Sequence, residues 1–258
     1  MNTLDTRSLS AWLDDTLQTA RFKDYCPNGQ QVEGKPTIKR IIAGVTASEA
    51  LLRVAIERQV DAILVHHGWF WKNEDPRVRG TRRTRLALSL QHDLNVFAYH
   101  LPLDAHPTLG NNAQLARVLG LTPQRDTNAA PLICGPDSLI WLGSAPDLHT
   151  LGELSARIHT RLERAPLLIG DPAQPVKHIA WCTGGAQSML ADAIDAGADV
   201  FITGEISEST VHLARETQTG FISAGHHATE RYGVQALGAA IEREFGISVE
   251  FVDIDNPV

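Results

Sequence analysis

Six of the eleven histidines in the 258-residue chain fall in three short segments that also contain acidic residues. These residues are His66 and His67 in DAILVHHGWFW; His100, Asp104 and His106 in VFAYHLPLDAHP; and His226, His227 and Glu230 in FISAGHHATERYG. Neutral imidazole and carboxylate groups are common protein ligands of zinc, iron, manganese, nickel and cobalt. The clustering indicates a divalent-metal site and leaves the identity of the metal open.

Each of the three segments follows an apolar run of the kind that forms a buried strand. In open α/β sheets, ligands bind outside the carboxyl ends of the strands. We therefore expect the three segments to converge on one crevice. A single histidine after a strand is more often a hydrogen-bonding loop residue, whereas three His/acid segments at three strand ends favour metal binding.

The number of donors favours two ions over one. His226 and Glu230 are four residues apart and share a face if a helix begins there. His66 and His67 would point to opposite faces of a regular strand, but past the strand end the chain can curl and place the two rings against adjacent metals. Together with Asp104, these donors exceed the three protein ligands of an open catalytic zinc. They suit two ions ~3.5–4 Å apart with a bridging carboxylate.

Strand-like and helix-like segments alternate along the chain, which indicates an α/β fold with mainly parallel sheets. The pattern predicts helices at 9–17, 48–59, 82–90 and 231–245. The predicted strands are IKRIIAGV, DAILV, NVFAY, SLIWLG, VKHIAW, DVFIT, GFISAG and SVEFVDI. A segment rich in Pro, Thr, Asn and Gly at 121–136 is expected to be a linker. We expect two related α/β lobes with the metal site in the cleft between them: residues 1–125, completed by about 230–258, and residues 126–229.

An internal similarity supports two related lobes. When Lys39 is aligned with Lys177, IKRIIAGVTASEALLRVAIERQVDAILVHH matches VKHIAWCTGGAQSMLADAIDAGADVFITGE without a gap. The other identical pairs are Ile41/Ile179, Leu52/Leu190, Ala55/Ala193, Ile56/Ile194 and Asp61/Asp199. The alternative explanation is a chance likeness between two strand–helix–strand units of equal length. Either explanation fits two α/β lobes better than one continuous sheet.

Composition restricts the class of function. Lys and Arg total 23 against 30 Asp and Glu, and the net charge of −7 argues against a protein that mainly coats nucleic acid or anionic membrane. Cys26, Cys134 and Cys182 form no CxxC pair, so neither a disulfide framework nor a thiolate zinc site is indicated. The first residues lack a signal-peptide pattern, and no apolar run approaches the ~20 residues of a membrane span. We expect a soluble, cytoplasmic protein with no membrane partner.

The motifs VHHG, HLPLD and GHHATE, in this order and with these spacings, resemble the NIF-three-like dinuclear-metal family. Members of that family are named GTP cyclohydrolase I type 2 homologues. The PNG-QVEG segment, the WCTGGAQ loop and FITGEISE extend the likeness over nearly the whole chain. The short bacterial YbgI-type branch is the most similar, because no extra domain interrupts the region near residue 130.

The resemblance implies a set of ligands for two divalent ions, with Zn, Fe, Mn, Ni and Co as candidates. The implied ligands are His66, His67, Asp104, His226 and Glu230. His227 occupies a position where relatives accept other residues, often Tyr. The family also implies two α/β domains around the metal pair and a homohexamer, a trimer of dimers or a toroid of trimers, whose sites face an interior cavity.

Further residues near these motifs are candidates for catalysis or substrate binding. His100 is a candidate general acid–base or ligand-orienting group, and a hydrogen-bonded histidine at a strand end is the alternative. Glu205 takes the place of His67 in the internal similarity and is a candidate base or substrate contact. Gly184 and Gly185 follow a strand, where backbone N–H groups can hold a phosphate, although a plain tight turn has the same sequence.

Five arginines within nine residues locally reverse the negative charge of the chain; they are Arg77, Arg79, Arg82, Arg83 and Arg85. A solvated loop and helix start is the ordinary explanation. The functional explanation is phosphate capture from a nucleotide or nucleic acid, chiefly by Arg82 and Arg83, since guanidinium groups bind phosphate bidentately.

Three functions fit these observations. The first is a metal-dependent hydrolase acting on a nucleotide or a related phosphorylated heterocycle, where a bound metal lowers the pKa of a water toward ~7. GTP cyclohydrolase activity is here a family name rather than a demonstrated reaction. The second is a hexameric ring that binds DNA or a partner protein and uses its metals structurally. The third is metal handling, in which reversible metal loading is itself the function.

Overall fold

The computed structural model describes residues 2–258, which form two compact units. Unit 1 combines the chain up to Gly110 with Gly233–Asp255, and unit 2 combines Asn111–Tyr232 with Asn256–Val258. The division expected from the sequence placed these boundaries at residues 125 and 229. Each unit carries its own sheet and its own apolar core.

The elements alternate along the chain as an α/β fold requires. The strands are β1 (Leu4–Asp5), β2 (Gly29–Val32), β3 (Thr37–Ile38), β4 (Arg40–Thr46), β5 (Ala62–His67), β6 (Asn95–Ala98), β7 (Thr122–Pro123), β8 (Ile133–Cys134), β9 (Ile140–Ser144), β10 (Leu167–Ile169), β11 (Ile179–Trp181), β12 (Val200–Thr203), β13 (Gly220–Ser223) and β14 (Ser248–Phe251). The α-helices are α1 (Thr6–Leu17), α2 (Glu49–Glu57), α3 (Gly80–Gln91), α4 (Leu101–Ala105), α5 (Asn111–Leu119), α6 (Leu151–Leu162), α7 (Leu190–Asp195), α8 (Glu208–Thr217) and α9 (His226–Phe245). No helix among the described residues has the length and apolar character needed to cross a membrane.

Unit 1 contains a five-stranded sheet in the order β14-β4-β5-β6-β2. The strands from β14 to β6 are parallel, and β2 pairs antiparallel with β6. Successive residues of β4 belong to different cores: Ile41 packs in one apolar cluster and Ile42 in another. Because neighbouring side chains of a strand point to opposite faces, this sheet is covered by apolar side chains on both sides.

Unit 2 contains a mixed sheet in the order β10-β13-β12-β11-β9-β7, with β8 also paired to β9. Strands β11, β12 and β13 are parallel, and the flanking strands are antiparallel. The segment 121–136 is not the linker that its composition suggested. It supplies β7 and β8, which both pair antiparallel with β9, because its Pro and Gly residues terminate short strands rather than separate domains.

Strand β5 and helix α9, which both carry histidines, have bounds that differ from the sequence prediction. His66 and His67 lie within β5 instead of after it, since the ladder with β4 continues to the pair Thr46–His67. Helix α9 begins at His226 rather than at residue 231. Its first turn carries polar residues and lacks the apolar repeat that marks the rest of the helix. The apolar periodicity therefore predicted a helix start that is too late in the chain.

The internal similarity is confirmed as a structural equivalence. In unit 1 the parallel register pairs Ile41 with Ala62, and in unit 2 it pairs Ile179 with Val200, which are the residues equivalent to them when Lys39 is aligned with Lys177. The Asp of each copy has the same partners. The carboxylate of Asp61 accepts the N–H groups of Lys39 and Arg40, and that of Asp199 accepts those of Lys177 and His178.

Candidate metal centre

In unit 1 the first predicted ligands lie at the end of β5 and in α4. His66 is fully buried, and its Nδ1 lies 2.9 Å from the carbonyl oxygen of Tyr99. Its Nε2 lies 3.5 Å from the Oδ1 atom of Asp104, a buried residue in the short helix α4. The Tyr99 contact occupies Nδ1, so Nε2 is the nitrogen that faces the carboxylate.

His67 and His100 lie beside His66 in the same unit. The ring centroid of His66 is 4.5 Å from that of His67 and 5.2 Å from that of His100. The Nδ1 of His67 is 3.2 Å from the hydroxyl of Thr46, the residue paired with it across the sheet. The indole of Trp71 packs edge-to-face on His100, with the ring centroids 5.0 Å apart. The ligand atoms of the three histidines lie within 4.8 Å of one another.

Asp24 is a residue of this cluster that sequence reasoning missed. Its Oδ1 lies 2.7 Å from His100 Nδ1, and its Oδ2 accepts hydrogen bonds from Asn28 and from the N–H of Leu101, both at 2.9 Å. Burial raises the pKa of Asp24, but these hydrogen bonds, led by His100, outweigh it and lower the pKa to about 2. Asp24 is therefore an ionised, nearly buried carboxylate that fixes one face of His100. No motif marked it, because it lies 76 residues from His100.

Burial keeps the thiol of Cys26 protonated. Cys26 is buried near this cluster, and its burial, reinforced by the negative charge of Asp24, raises the pKa of the thiol to about 12. Together with Asp24 and His100, Cys26 offers ligand atoms that lie within 4.8 Å of one another, so unit 1 also contains a sulfur donor beside its nitrogen and oxygen donors.

In unit 2, the first turn of α9 supplies the remaining predicted ligands. His226 Nε2 lies 3.1 Å from Glu230 Oε2, as expected for residues four apart in a helix, and His226 Nδ1 lies 2.7 Å from Glu205 Oε1. Burial opposes protonation of this imidazole, but hydrogen bonds to Glu230 and Glu205 prevail and raise the pKa of His226 to about 9. Two carboxylates around one half-buried imidazole favour a cation at this position.

Glu205 is the last residue of the strand–helix–strand repeat in unit 2, and its carboxylate contacts His226. Its second oxygen accepts a hydrogen bond from the side-chain amide of Gln187 at 3.3 Å. A carboxylate on the Nδ1 of a histidine fixes the ring and its tautomer, a common arrangement around metal-binding histidines. This contact gives Glu205 an orienting role.

The loop after β11 forms a cradle for the Glu230 carboxylate. Gly184 has φ +71°, and a Cβ atom there would lie 2.1 Å from Glu230 Oε1 and 3.2 Å from His226 Nε2. The phosphate-binding role expected for this loop finds little support. The N–H of Gly184 donates to the Thr229 hydroxyl at 3.0 Å, and that of Thr183 donates to the Asn112 side chain at 3.0 Å, so these donors are already engaged.

The arginine-rich segment of unit 1 is largely neutralised by its own loop. Arg77 and Arg79 form ion pairs with Asp75 at 2.6 and 3.2 Å, and Arg82 pairs with Glu74 at 2.6 Å. The hydrogen bonds from these arginines, chiefly Arg77, lower the pKa of Asp75 to about 2. Phosphate capture by Arg82 would have to displace Glu74, which weakens that prediction. Arg83 is exposed at the start of α3.

Two further histidines of the motifs have local structural roles. His106 Nδ1 accepts the N–H groups of Leu109 at 3.0 Å and Thr108 at 3.3 Å, and burial lowers the pKa of this imidazole. His227 is half-buried in the first turn of α9, and its N–H donates to the carbonyl oxygen of Val258. Neither residue belongs to the sets of donors described above.

The donor chemistry of both units fits divalent metal ions. Each predicted ligand histidine has a partner at Nδ1, and the opposite nitrogen faces a carboxylate in His66 and in His226. Imidazole nitrogen and carboxylate oxygen suit zinc and the other divalent transition metals. The Gly184 cradle adds the steric room that a carboxylate ligand needs. The described residues thus contain His, Asp and Glu clusters able to bind metal.

Comparison with known proteins places the chain among relatives. The family model described as Duf34/NIF3 (NGG1p interacting factor 3) matches residues 4–257. The GTP cyclohydrolase 1 type 2 homolog of Neisseria meningitidis serogroup B is 52% identical over 251 residues, covering 97% of this chain and 98% of that protein. The protein of the same name from Pseudomonas aeruginosa is 51% identical over 245 residues and covers 95% of each chain.

A solved structure extends the likeness to the fold. Protein ybgI, described as of unknown function, has a TM-score of 0.92 and 46% identity, with 99% of this chain and 100% of that chain covered. Such agreement over nearly the full length, together with the family match, identifies the α/β fold.

Proposed function

The chain belongs to the Duf34/NIF3 family, and on that premise we propose that it is a metal-dependent hydrolase with two divalent ions. The proposed ligands come from both units: His66, His67 and Asp104 from unit 1, and His226 and Glu230 from unit 2. We propose a nucleotide or a related phosphorylated heterocycle as substrate. The name GTP cyclohydrolase 1 type 2 homolog, carried by the curated relatives, supports that class.

One observation carries the proposal. In each unit a buried or half-buried imidazole is held at Nδ1 and has a buried carboxylate near Nε2: Asp104 for His66, and Glu230 for His226. Imidazole nitrogen and carboxylate oxygen placed side by side in this way are the donors that divalent transition metals prefer, so both arrangements favour a bound cation. A protein that needed these groups only for folding would be better served by apolar side chains of similar size.

The residues of the chain have distinct tasks in this proposal. Bound divalent ions would supply a coordinated water of lowered pKa and polarise the bond under attack. Asp104 and Glu230 would neutralise the positive charge of the ions, and Glu205 holds the ring of His226 in one orientation through Nδ1. The Gly184 cradle keeps the Glu230 carboxylate in place.

A hydrolysis screen tests the proposal. The protein is reconstituted separately with Zn, Fe, Mn, Ni and Co and assayed against nucleotides and phosphoesters, with Glu230→Ala run beside the wild type. We expect at least one substrate to be hydrolysed by the wild type only, with a loss of at least about 100-fold in the variant. Equal rates of both proteins on every substrate would contradict the hydrolase proposal.

The other two functions predict different results. A DNA-binding ring would bind DNA with affinity that falls steeply with salt and with loss of Arg82 and Arg83, but not with removal of metal. The ion pairs of Arg82 with Glu74 and of Arg77 with Asp75 count against it. A metal-handling protein would release its ions on dialysis.

We further propose that the protein is a homohexamer. Light scattering on the purified protein measures the mass of the assembly and tests this proposal.

A further inference from the structure

Two exposed aromatic side chains of unit 1 lie on loops that contact His100. Among the described residues, Tyr25 and Phe70 are the only aromatic residues that are exposed, at 56% and 37%. Single exposed apolar side chains are common on protein surfaces and need no explanation, but these two lie beside the same histidine. Tyr25 follows Asp24, whose carboxylate contacts His100, and Phe70 precedes Trp71, whose indole packs on His100.

The two loops that carry these residues are fixed to each other. The N–H of Lys72 donates to the carbonyl oxygen of Tyr25 at 2.6 Å. The side chain of Gln31 donates to the carbonyl oxygens of Pro27 and Trp69 at 2.7 and 3.1 Å, and it accepts the N–H of Trp69 at 2.6 Å. The two loops therefore form one surface that hydrogen bonds hold in place.

Phe70 has a backbone conformation that is unfavourable for its residue type. Its φ of +64° lies in the left-handed region, which glycine and asparagine adopt far more readily than an aromatic residue. Its neighbours are pinned: Trp69 Nε1 donates to Ala47 at 2.8 Å, and Trp71 Nε1 donates to Gly68 at 3.2 Å. Folding does not require an exposed phenyl ring between them, since glycine would relieve the strain. Strained residues concentrate at ligand-binding sites, so the ring of Phe70 indicates a ligand.

Trp71 connects this surface to the candidate metal centre. Its ring centroid lies 5.0 Å from that of His100 and 6.0 Å from that of His67. A molecule that stacks on the loop is therefore close to any group bound at these histidines. Aromatic rings bind planar heterocycles by stacking, and they do so with little preference among bases because every base has a π face.

The same loops carry cations suited to a phosphate group. Lys23 and Lys72 are exposed, and neither forms an ion pair with another described residue. The arginine-rich segment, in contrast, is largely neutralised by its own acidic residues. Because Lys72 directly follows Trp71, one nucleotide can place its base on the aromatic rings and its phosphate near the ammonium group of Lys72.

We infer that Tyr25, Phe70 and Trp71 form a surface that stacks the planar base of a nucleotide, and that Lys72 contacts the phosphate of that nucleotide. This inference rests on the proposed function and names the part of the substrate that these loops recognise. Arg82 has a supporting task here, since its guanidinium carbon lies 5.9 Å from the centre of the Phe70 ring and helps to hold it in place.

Calorimetric titration of the metal-loaded protein with GMP, guanosine and ribose 5-phosphate tests the inference. Phe70→Leu and Tyr25→Leu keep an apolar side chain but remove the ring, so each should weaken binding of GMP and guanosine by about 10-fold and leave ribose 5-phosphate unaffected. Phe70→Tyr and Tyr25→Phe keep the ring and should bind like the wild type. Lys72→Gln should weaken GMP by about 10-fold and leave guanosine unchanged.

The matched control is Leu90→Ala, which alters an exposed apolar residue of the same unit and should leave the binding of all three probes unchanged. Thermal melting shows whether each variant is folded, and Tyr25→Leu keeps the test valid if Phe70→Leu is not. Leucine variants that bind GMP as tightly as the wild type would overturn the inference. So would a wild type that binds GMP no more tightly than ribose 5-phosphate.

These outcomes are separate from the test of the hydrolase proposal, which depends on the loss of turnover in Glu230→Ala. Leucine variants with unchanged GMP binding would remove the stacking surface while turnover that requires Glu230 persists. GMP binding that requires the rings of Tyr25 and Phe70, without hydrolysis of any substrate, would contradict the hydrolase proposal and leave the nucleotide-binding surface in place.

Discussion

The segments 38–67 of unit 1 and 176–205 of unit 2 share a backbone and differ in chemistry. Their strands pair in the same register, and Asp61 and Asp199 make the same backbone hydrogen bonds. At the end of the repeat, however, unit 1 has His67 where unit 2 has Glu205. The comparison shows that the two units share a scaffold while the donors at its carboxyl end are free to differ.

A second equivalence shows how the difference is used. Thr46 of unit 1 and Gly184 of unit 2 also occupy equivalent positions when Lys39 is aligned with Lys177. The Thr46 hydroxyl contacts His67, a predicted ligand, whereas the absence of a side chain at Gly184 admits the carboxylate of Glu230. Unit 1 thus contains several histidines whose rings are fixed by hydrogen bonds, whereas in unit 2 two carboxylates contact a single histidine, His226.

The largest expected effect on stability and metal binding comes from adding a side chain at Gly184, which removes the difference between Thr46 and Gly184. In Gly184→Ala the added Cβ would overlap Glu230 Oε1 at 2.1 Å, and the residue would keep a φ of +71° that alanine tolerates poorly. The backbone strain and overpacking together should cost about 3 kcal/mol and weaken metal binding at the unit 2 residues. Urea unfolding and metal analysis measure both effects.

The neighbouring glycine provides the matched control. A Cβ at Gly185 would lie 3.6 Å from the nearest atoms, Glu205 and His226, which is ordinary contact. Gly185→Ala should change stability by no more than about 0.5 kcal/mol. Similar losses in both variants would mean that the loop tolerates no substitution and that the cradle is not the cause.

The next largest loss of stability is expected from removing the equivalent aspartates Asp61 and Asp199, one at a time. Asp61→Ala removes the partner of Lys35 at 2.7 Å as well as two backbone N–H acceptors, so we expect a loss of about 2 kcal/mol. Asp199→Ala removes two backbone hydrogen bonds at a side chain that is 35% exposed, against 13% for Asp61. Its loss should be about 1 kcal/mol. Chemical denaturation at neutral pH ranks the two variants, and the reverse order would contradict the comparison.

Asp61 also predicts a dependence on pH. Burial raises the pKa of its carboxyl, but the bond from Lys35 and the N–H groups of Lys39 and Arg40 lower it below the ordinary value overall. The group therefore contributes its full stabilisation above its unfolded pKa of ~3.9 and loses it as the pH falls through the lower folded value. Between pH 5 and pH 2, the wild type should lose more stability than Asp61→Ala. Parallel pH curves for the two proteins would rule out this role.

The smallest expected change in stability comes from exchanging the residue types at the two equivalent positions that follow α2 and α7. Gln59 and Gly197 are equivalent positions with φ of +53° and +81°, and each follows the end of its helix. Because only glycine adopts this conformation without strain, Gln59→Gly should stabilise the protein by about 0.5–1 kcal/mol, and Gly197→Gln should destabilise it by a similar amount. Thermal melting of the two variants measures the signs. Equal signs would show that the two helix ends are not equivalent.

Much of this arrangement was predictable from residue patterns. The apolar runs located β5, β12 and β13, and with them the histidines and acidic residues at their ends, because burial between helices demands such runs. The spacing of His226 and Glu230 predicted their contact, which the structure confirms at 3.1 Å. The gapless alignment of Lys39 with Lys177 favoured two related units, and the parallel strands of the two units pair in the same register.

Other features were hidden because they depend on contacts between distant residues. The sequence around Asp24 contains no motif that predicts its contact with His100. The N–H groups of Thr183 and Gly184 donate hydrogen bonds to side chains that are distant in sequence. The neutralisation of the arginine segment, by contrast, has a signal in the local sequence. Glu74 and Asp75 closely precede Arg77 in the chain and form ion pairs with three of the arginines of this segment.

The number of metal ions retained per chain tests the central claim most directly. Metal-free protein is loaded with excess Zn²⁺ or Mn²⁺, freed of unbound metal by gel filtration, and analysed for metal and protein content. The account predicts two ions per chain for the wild type and one for His226→Ala, which loses only the unit 2 imidazole. A wild type that retains one ion or none, or a His226→Ala variant that still retains two, would contradict it.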